Sequence, residues 1–229
     1  SNTSSHNIFD VVRGATKGLF TNATDAEETV ANRLSAFGSD GFTINGDTSN
    51  QTNASGSNFV SWNWLAGGAT SSNSDGSITS TVSANTTSGF SIVSYTGNGS
   101  AGATIGHGLG AVPKWIIIKR RDTTEGWQIF HTSLGNTKYI ELNSDAASVT
   151  ASTLWNDTSP SSSVVTLGTS TRVNANSSTY IAYCFAEKQG YSKFGSYTGN
   201  GSTDGTFVHT GFRPAFVINK RTDSSTGGS

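Results

Sequence analysis

The sequence predicts an all-β fold made of two related β-sandwich-like modules with short helices, and three observations lead there. Short segments alternate in period two or run apolar between turn residues, which is typical of sandwich strands. The six residues YTGNGS occur twice, at 95–100 and 197–202. Charged residues make up only 13% of a chain whose 14 basic and 15 acidic residues nearly cancel. Such a chain is expected to fold with many polar turns.

The first predicted element is a helix. Thr24 to Glu27 match a capping box, and Val30, Leu34 and Phe37 then recur at helical spacing. These features favour one short helix in this part of the chain.

The remaining predicted elements are strands. In chain order they are NFVSWNW from Asn58, SIVSYTG from Ser91, KWIIIK from Lys114, VVTLG from Val164, TYIAYCF from Thr179 and AFVINK from Ala215. In the first of them, alternation places Val60, Trp62 and Trp64 on one face. We therefore expect Trp62 and Trp64 to be buried together.

Residues 68–89 are rich in Ser, Thr and Asn and poor in apolar side chains. This composition predicts a linker or a solvated arm. Pairing of SITSTVS as an edge strand is the alternative.

The two copies of YTGNGS begin a longer repeat. The same landmarks follow each copy in the same order: His107 and His209, Pro113 and Pro214, an apolar run, a Lys-Arg pair, and Asp122 and Asp223. Identical residues followed by ordered landmarks indicate an internal duplication.

The rest of the repeat is found at the other end of the chain. A shift of 121 positions carries Ile8 onto Ile129, Gly14 onto Gly135 and Asn53 onto Asn174. The sequence therefore predicts a complete module at 90–188. A second module is split: its N-terminal half is 193–229, here called the trailing segment, and its C-terminal half is 1–67, here called the leading segment.

The two halves of the split module have two ways to meet. The chain closes on itself as a circular permutation, which is cheap when termini are close. Alternatively, the trailing segment of one copy is completed by the leading segment of the next, a heterologous contact that propagates into a filament. If the sequence is cut from a longer array, the missing halves belong instead to the neighbouring modules. The sequence leaves these possibilities open, but an unpaired half would expose strand edges and apolar faces.

The formal net charge of -1 provides no long-range field to attract nucleic acid or an anionic membrane. The basic cluster from Lys119 to Arg121 is expected to be the solvated end of a strand. No run of about 20 apolar residues is present, so membrane insertion is not expected. Because the chain has no methionine and no signal peptide, we expect a processed product or a segment of something longer.

No catalytic, cofactor or metal site is predicted. Cys184 lies in an aromatic strand pattern and is expected to be a buried thiol. His107 and His209 lack His or Cys partners at ligand spacing, which favours a structural hydrogen bond or a repeated ligand contact. Asp122 and Asp223 are expected to cap turns. No nucleophile and base, and no acid pair for glycoside hydrolysis, stands out.

The repeated YTGNGS is interpreted as a tight turn with a positive φ at Asn98 or Gly99, because Asn-Gly is a strong turn signal. A phosphate cradle is the weaker interpretation, since the fingerprints of such loops are missing.

The sequence contains two kinds of candidate glycan site, one for covalent attachment and one for binding. Acceptor sequons for attached glycans occur at Asn2, Asn22, Asn50, Asn53, Asn85, Asn98, Asn156, Asn176 and Asn200. Trp127 and Trp155 are candidates for stacking against bound sugars, whereas the strand pattern around Trp115 favours the core.

The succession FSIVSYTGNGS, TIGHGLGAVPKWIIIKRRD, WQIFHTSLGNTKYIELN and TYIAYCFAE resembles a module of tail-fibre and other virion structural proteins of tailed bacteriophages. The stretch from IFDVVRGATKGL to FVSWNWLAGG resembles the other half of the same module. The split order departs from that pattern. The resemblance implies a virion or extracellular appendage with a glycan-rich host surface as partner.

The expected function is therefore a non-enzymatic, tail-fibre-like appendage protein that assembles with copies of itself. The alternative is a self-assembling extracellular filament or adhesin subunit, glycosylated and joined head to tail by exchanged half-modules. A carbohydrate-active enzyme is the third and least favoured hypothesis.

Overall fold

The structure, a computed structural model, describes residues 4–46 and 49–224. In these residues the helices are two elements of four residues each, and the other regular elements are strands. The predicted all-β class is confirmed.

The leading segment forms a small sheet and a hairpin. Its strands are β1 (Asn7–Asp10), β2 (Gly14–Phe20), β3 (Glu28–Thr29), β4 (Leu34–Phe37) and β5 (Phe42–Ile44). β1, β2 and β3 pair antiparallel in that order, and β4 pairs with β5.

The prediction of a helix after Thr24 is wrong. Glu28 and Thr29 pair with β2, and Leu34 begins the next strand. The carboxylate of Glu27 accepts hydrogen bonds from Arg121 instead of closing a capping box. A long-range ion pair and sheet pairing thus override the local helix signal.

The complete module and the stretch that precedes it, 68–89, share one antiparallel sheet. The elements of this region are β6 (Ser71–Asn73), β7 (Ser80–Asn85), β8 (Phe90–Thr96), β9 (Ala103–Gly106), β10 (Pro113–Arg120), β11 (Trp127–His131), β12 (Lys138–Glu141), β13 (Val149–Thr150), α1 (Ser152–Trp155), β14 (Val164–Leu167), α2 (Thr171–Asn174) and β15 (Thr179–Ala186). Eight of these strands form a sheet in the order β13-β12-β11-β10-β15-β8-β7-β6, and β9 pairs with β14.

The linker predicted at 68–89 needs correction, because β6 and β7 complete the edge of the large sheet beside β8. The alternative, pairing of SITSTVS as an edge strand, is closer to the structure: its residues from Ser80 onward belong to β7, although β6 is the edge strand. Polar residues are tolerated there because their hydroxyls find carbonyl acceptors: Ser80 Oγ donates to Gly106 O, and Ser83 Oγ to Gly68 O.

Both faces of the large sheet are apolar and covered. In β10, Ile116 and Ile118 point to the first face and Ile117 to the second, as strand alternation requires. Residues of β9, β14, α1 and α2 cover the first face. Leu19 of the leading segment is fully buried against the second face.

The leading segment copies the second half of the complete module in the register of its strand pairs. Asn7 pairs with Phe20 as Gln128 pairs with Glu141, at the 121-position shift. The pairings of β3 with β2 and of β13 with β12 correspond in the same way. The duplication therefore extends to strand register, while the division of the chain into modules stays a prediction.

The strands expected at 58–64 and 215–220 are not formed in the single chain, where both stretches are irregular. Their apolar side chains face solvent: Val60 is 80% exposed and Val217 70% exposed. Trp62 and Trp64 are exposed as well, so their expected joint burial is corrected. The equivalent strand of the complete module is buried because β15 lies between β8 and β10.

Candidate functional site

The most distinctive polar cluster fastens the leading segment to the complete module. Asp10 ends β1, and its Oδ1 accepts hydrogen bonds from the backbone N of Val12 at 3.0 Å and of Arg13 at 2.8 Å. Its Oδ2 accepts from Arg13 Nε at 2.5 Å and from the Tyr183 hydroxyl at 2.7 Å. The three side chains of Asp10, Arg13 and Tyr183 are buried.

Arg13 donates hydrogen bonds to acceptors on several sides. Its Nη1 donates to Lys17 O at 3.0 Å and to Glu27 Oε2 at 3.3 Å, and its Nη2 donates to Ile8 O at 3.1 Å. Burial opposes the charge of Arg13, but Tyr183, Asp10 and Glu27 together raise its pKa above the usual value. The cation therefore remains charged inside the interface.

Glu27 links this cluster to the complete module. Arg121 donates to both of its carboxylate oxygens, from Nε and Nη2, each at 2.8 Å. Such a bidentate pair fixes the geometry as well as the charge. Burial works against ionisation of Glu27, but the hydrogen bonds and charges of Arg121 and Arg13 hold its pKa below the usual value.

This pKa gives a pH-dependent prediction for Glu27→Gln. A carboxyl group with a depressed folded-state pKa stabilises the protein above its unfolded-state pKa, and that stabilisation is lost as the pH falls through the folded value. We expect the variant to be less stable at pH 7 and to lose less stability than the wild type between pH 6 and pH 3. Urea denaturation across that range measures both curves; parallel curves would contradict the role of Glu27.

Trp127 is part of the same junction and cannot stack on a sugar. Its Nε1 donates to Phe20 O at 2.7 Å and to Ala23 O at 3.1 Å, and its side chain is 0% exposed. Trp155 is also buried, with Nε1 donating to Lys138 O at 3.0 Å. The expected glycan stacking at Trp127 and Trp155 is therefore wrong, because both indoles are core residues whose N–H groups bind backbone carbonyls.

The predicted glycan acceptors have mixed surroundings. Asn2 lies outside the described residues. Asn85 is half-buried, and its side-chain amide donates to Leu65 O. The others are exposed: Asn22, Asn50, Asn53, Asn98, Asn156, Asn176 and Asn200. Glycan attachment stays a prediction.

His107 and Cys184 are structural. His107 is buried, its Nδ1 accepts from Leu109 N at 3.2 Å and its Nε2 faces Ser161 O at 3.3 Å. Burial lowers the pKa of His107. Cys184 is buried as expected, and burial raises its pKa to about 12, which keeps the thiol neutral. His209, the repeat equivalent of His107, is exposed.

The basic cluster differs from its predicted solvated state. Lys119 is buried, its Nζ donates to Arg120 O at 2.6 Å, and burial lowers its pKa to about 8. Arg121 binds Glu27. Asp122 accepts from Arg120 Nε at 2.7 Å, and Asp223 accepts from Arg221 Nε at 2.8 Å. Asp122 and Asp223, which were expected to cap turns, thus form ion pairs with arginine side chains.

The turn interpretation of YTGNGS is confirmed at Gly99, which has a φ of 73°. A residue that sequence reasoning missed holds this turn. The buried Asn174 accepts from Asn98 N at 2.9 Å and donates to Ser100 O at 2.9 Å. The signal that could have identified it is its repeat equivalence with Asn53.

The described ranges contain no group of three or more His, Cys, Asp or Glu side chains arranged to hold a metal ion. None of the helices described is long and apolar enough to cross a membrane.

Comparisons with known proteins place the chain in one family. A family described as "Domain of unknown function (DUF7483)" matches residues 1–227. No curated protein and no solved structure matches the chain. Because the match spans nearly the whole sequence, the chain belongs to the DUF7483 family.

Proposed function

We propose that this protein is a non-enzymatic structural module of a virion appendage, of the tail-fibre kind. The observation that carries the proposal is the junction of Asp10, Arg13, Glu27, Arg121 and Tyr183. Its charged groups bind one another and the backbone, and they join stretches 170 residues apart in the chain. Such a cluster supports a mechanical role, because it fixes two layers in one geometry.

The surroundings of the other reactive groups support the same role. Lys119, His107 and Cys184 are buried within the complete module, and Lys119 and His107 bind backbone atoms. A nucleophile or base for catalysis has to reach a substrate, and these groups face the core.

The virion location and the glycan-bearing host surface come from the resemblance to phage appendage modules. With Trp127 and Trp155 buried, the proposed contact with polysaccharide would use other surface groups.

The test is immunogold electron microscopy with antibodies raised against the purified chain, applied to particles of a tailed phage that carries the coding sequence. We expect gold on appendages of intact particles, and no gold on particles of a phage lacking the sequence. Gold label that is found only in the particle-free fraction, and not on phage particles, would contradict the proposal. Long filaments formed by the purified chain alone would favour the filament hypothesis instead.

A further inference from the structure

The two copies of YTGNGS form the same local turn. In each copy the side-chain oxygen of the asparagine accepts from the backbone N of the serine two positions further on, at 2.9 Å in the first copy and 3.0 Å in the second. Gly99 and Gly201 have φ values of 73° and 66°. The Asn-Gly pair is exposed in both copies. Sequence, local conformation and exposure of the two pairs are therefore matched.

The two turns differ at the backbone nitrogens of the Asn-Gly pair. In the first copy Gly99 N donates to Asn174 O, and Asn98 N donates to Asn174 Oδ1, each at 2.9 Å. The buried Asn174 thus holds this pair from outside the turn. In the second copy, no acceptor in the described part of the chain binds the backbone N of Asn200 or of Gly201.

The second turn also has open space around it. A Cβ atom placed on Gly201 would meet no atom within 4 Å, whereas one on Gly99 would lie 3.4 Å from the Cβ of Asn176. The hydrogen bonds of the Asn200 side chain are to its own loop, from Ser202 N and to Asp204 O. The side chain and backbone of Asn200 can therefore rotate without breaking contacts to the rest of the protein.

An asparagine followed by a glycine whose N–H is free has a specific reaction available to it. The glycine nitrogen attacks the asparagine Cγ and closes a five-membered succinimide, while the bond from Cγ to Nδ2 breaks and that nitrogen leaves as ammonia with the proton of the glycine amide. Water then opens the ring at either carbonyl, which gives aspartate or isoaspartate. Glycine allows the close approach because it has no Cβ. A glycine N–H already bound to a carbonyl must first give up that bond.

We infer that Asn200 is a site of spontaneous deamidation, and that Asn174 protects Asn98, in the identical hexapeptide, from the same reaction. The inference is independent of the proposed function. Deamidation adds one negative charge to the trailing segment, and isoaspartate also lengthens its backbone. Because the reaction destroys the acceptor sequon at Asn200, deamidation and glycan attachment exclude each other there.

The test is peptide mapping of the full chain during incubation in mildly alkaline buffer at physiological temperature. Aspartate and isoaspartate products at positions 98 and 200 are separated by chromatography and identified by the mass gained when an amino group is replaced by a hydroxyl group. We expect the products at Asn200 to accumulate at least about tenfold faster than those at Asn98. One hydrogen bond at the upper end of its usual net contribution supplies such a factor.

Three controls separate the surroundings from the hexapeptide. In concentrated urea the two rates should become equal, because the reacting residues are identical. Asn174→Ala removes the side-chain bonds to the first turn, so reaction at Asn98 should accelerate while reaction at Asn200 stays unchanged. Gly201→Ala places a Cβ beside the attacking nitrogen and should suppress the products at Asn200 alone. Circular dichroism verifies that each variant is folded.

Four outcomes would overturn the inference. Equal rates in the folded chain, or faster reaction at Asn98, would show that Asn200 is not the favoured site. A difference that persists in urea would show that flanking sequence, and not Asn174, sets the rates. Aspartate without isoaspartate at Asn200 would refute the succinimide route, and so would undiminished reaction in Gly201→Ala.

Discussion

Arg13→Ala is expected to lower the free energy of unfolding by about 3–5 kcal/mol, the cost typical of breaking a buried ion pair by removing one partner. The substitution leaves Asp10 buried with the Tyr183 hydroxyl and backbone amides as its remaining partners. It also removes donors from Lys17 O, Ile8 O and Glu27. Urea denaturation followed by circular dichroism measures the change.

A matched control for Arg13 is Lys193→Ala, which removes an exposed ion pair with Glu187. Surface pairs contribute about 0–1 kcal/mol, so this variant should stay close to the wild type. Equal losses in the two variants would contradict the assignment of the junction as the main electrostatic attachment of the leading segment.

Trp127→Ala is expected to cost about 3–5 kcal/mol, as large-to-small substitutions of buried aromatics do. The indole fills the second core and donates to Phe20 O and Ala23 O, so the variant loses both packing and two attachments to the leading segment. We therefore expect the leading segment to become the preferred site of limited proteolysis.

Trp155→Ala provides the control for Trp127, since Trp155 is equally buried but packs on the first face against Phe130. Its loss of stability should be similar, without selective cleavage of the leading segment. Selective cleavage in both variants, or in neither, would show that Trp127 does not hold the leading segment in place.

Some of the fold could be predicted from residue pattern alone. Period-two alternation and short apolar runs identified β8, β10, β14 and β15, because those strands bury apolar side chains in the core. The aromatic context of Cys184 predicted its burial, and Asn-Gly predicted the positive φ at Gly99.

Other features depended on partners that are distant in sequence. Local spacing favoured a helix after Thr24, but strand pairing with β2 and the bond from Arg121 to Glu27 decide that conformation. Lys119 looked like a solvated strand end, yet it is buried, and its Nζ donates to Arg120 O. The sequence around Trp127 did not indicate burial, so Trp127 was predicted to stack on sugars. The carbonyls that its indole N–H binds, Phe20 O and Ala23 O, are more than 100 residues away in the chain.

The junction cluster was missed for the same reason. Asp10 and Arg13 lie close in sequence, but Tyr183 and Arg121 reach them only when the leading segment packs on the large sheet. The internal duplication carried more information than any single motif, because it relates strand pairs of the complete module to strand pairs of the leading segment.

The most direct test of the attachment of the leading segment is native-state hydrogen exchange of the full chain, read by mass spectrometry at β1 and β2. Packing of these strands on the large sheet predicts protection of their amides comparable to that of β10 and β15, with similar free energies of opening. Exchange at the rate of an unstructured peptide, while β10 and β15 remain protected, would contradict it.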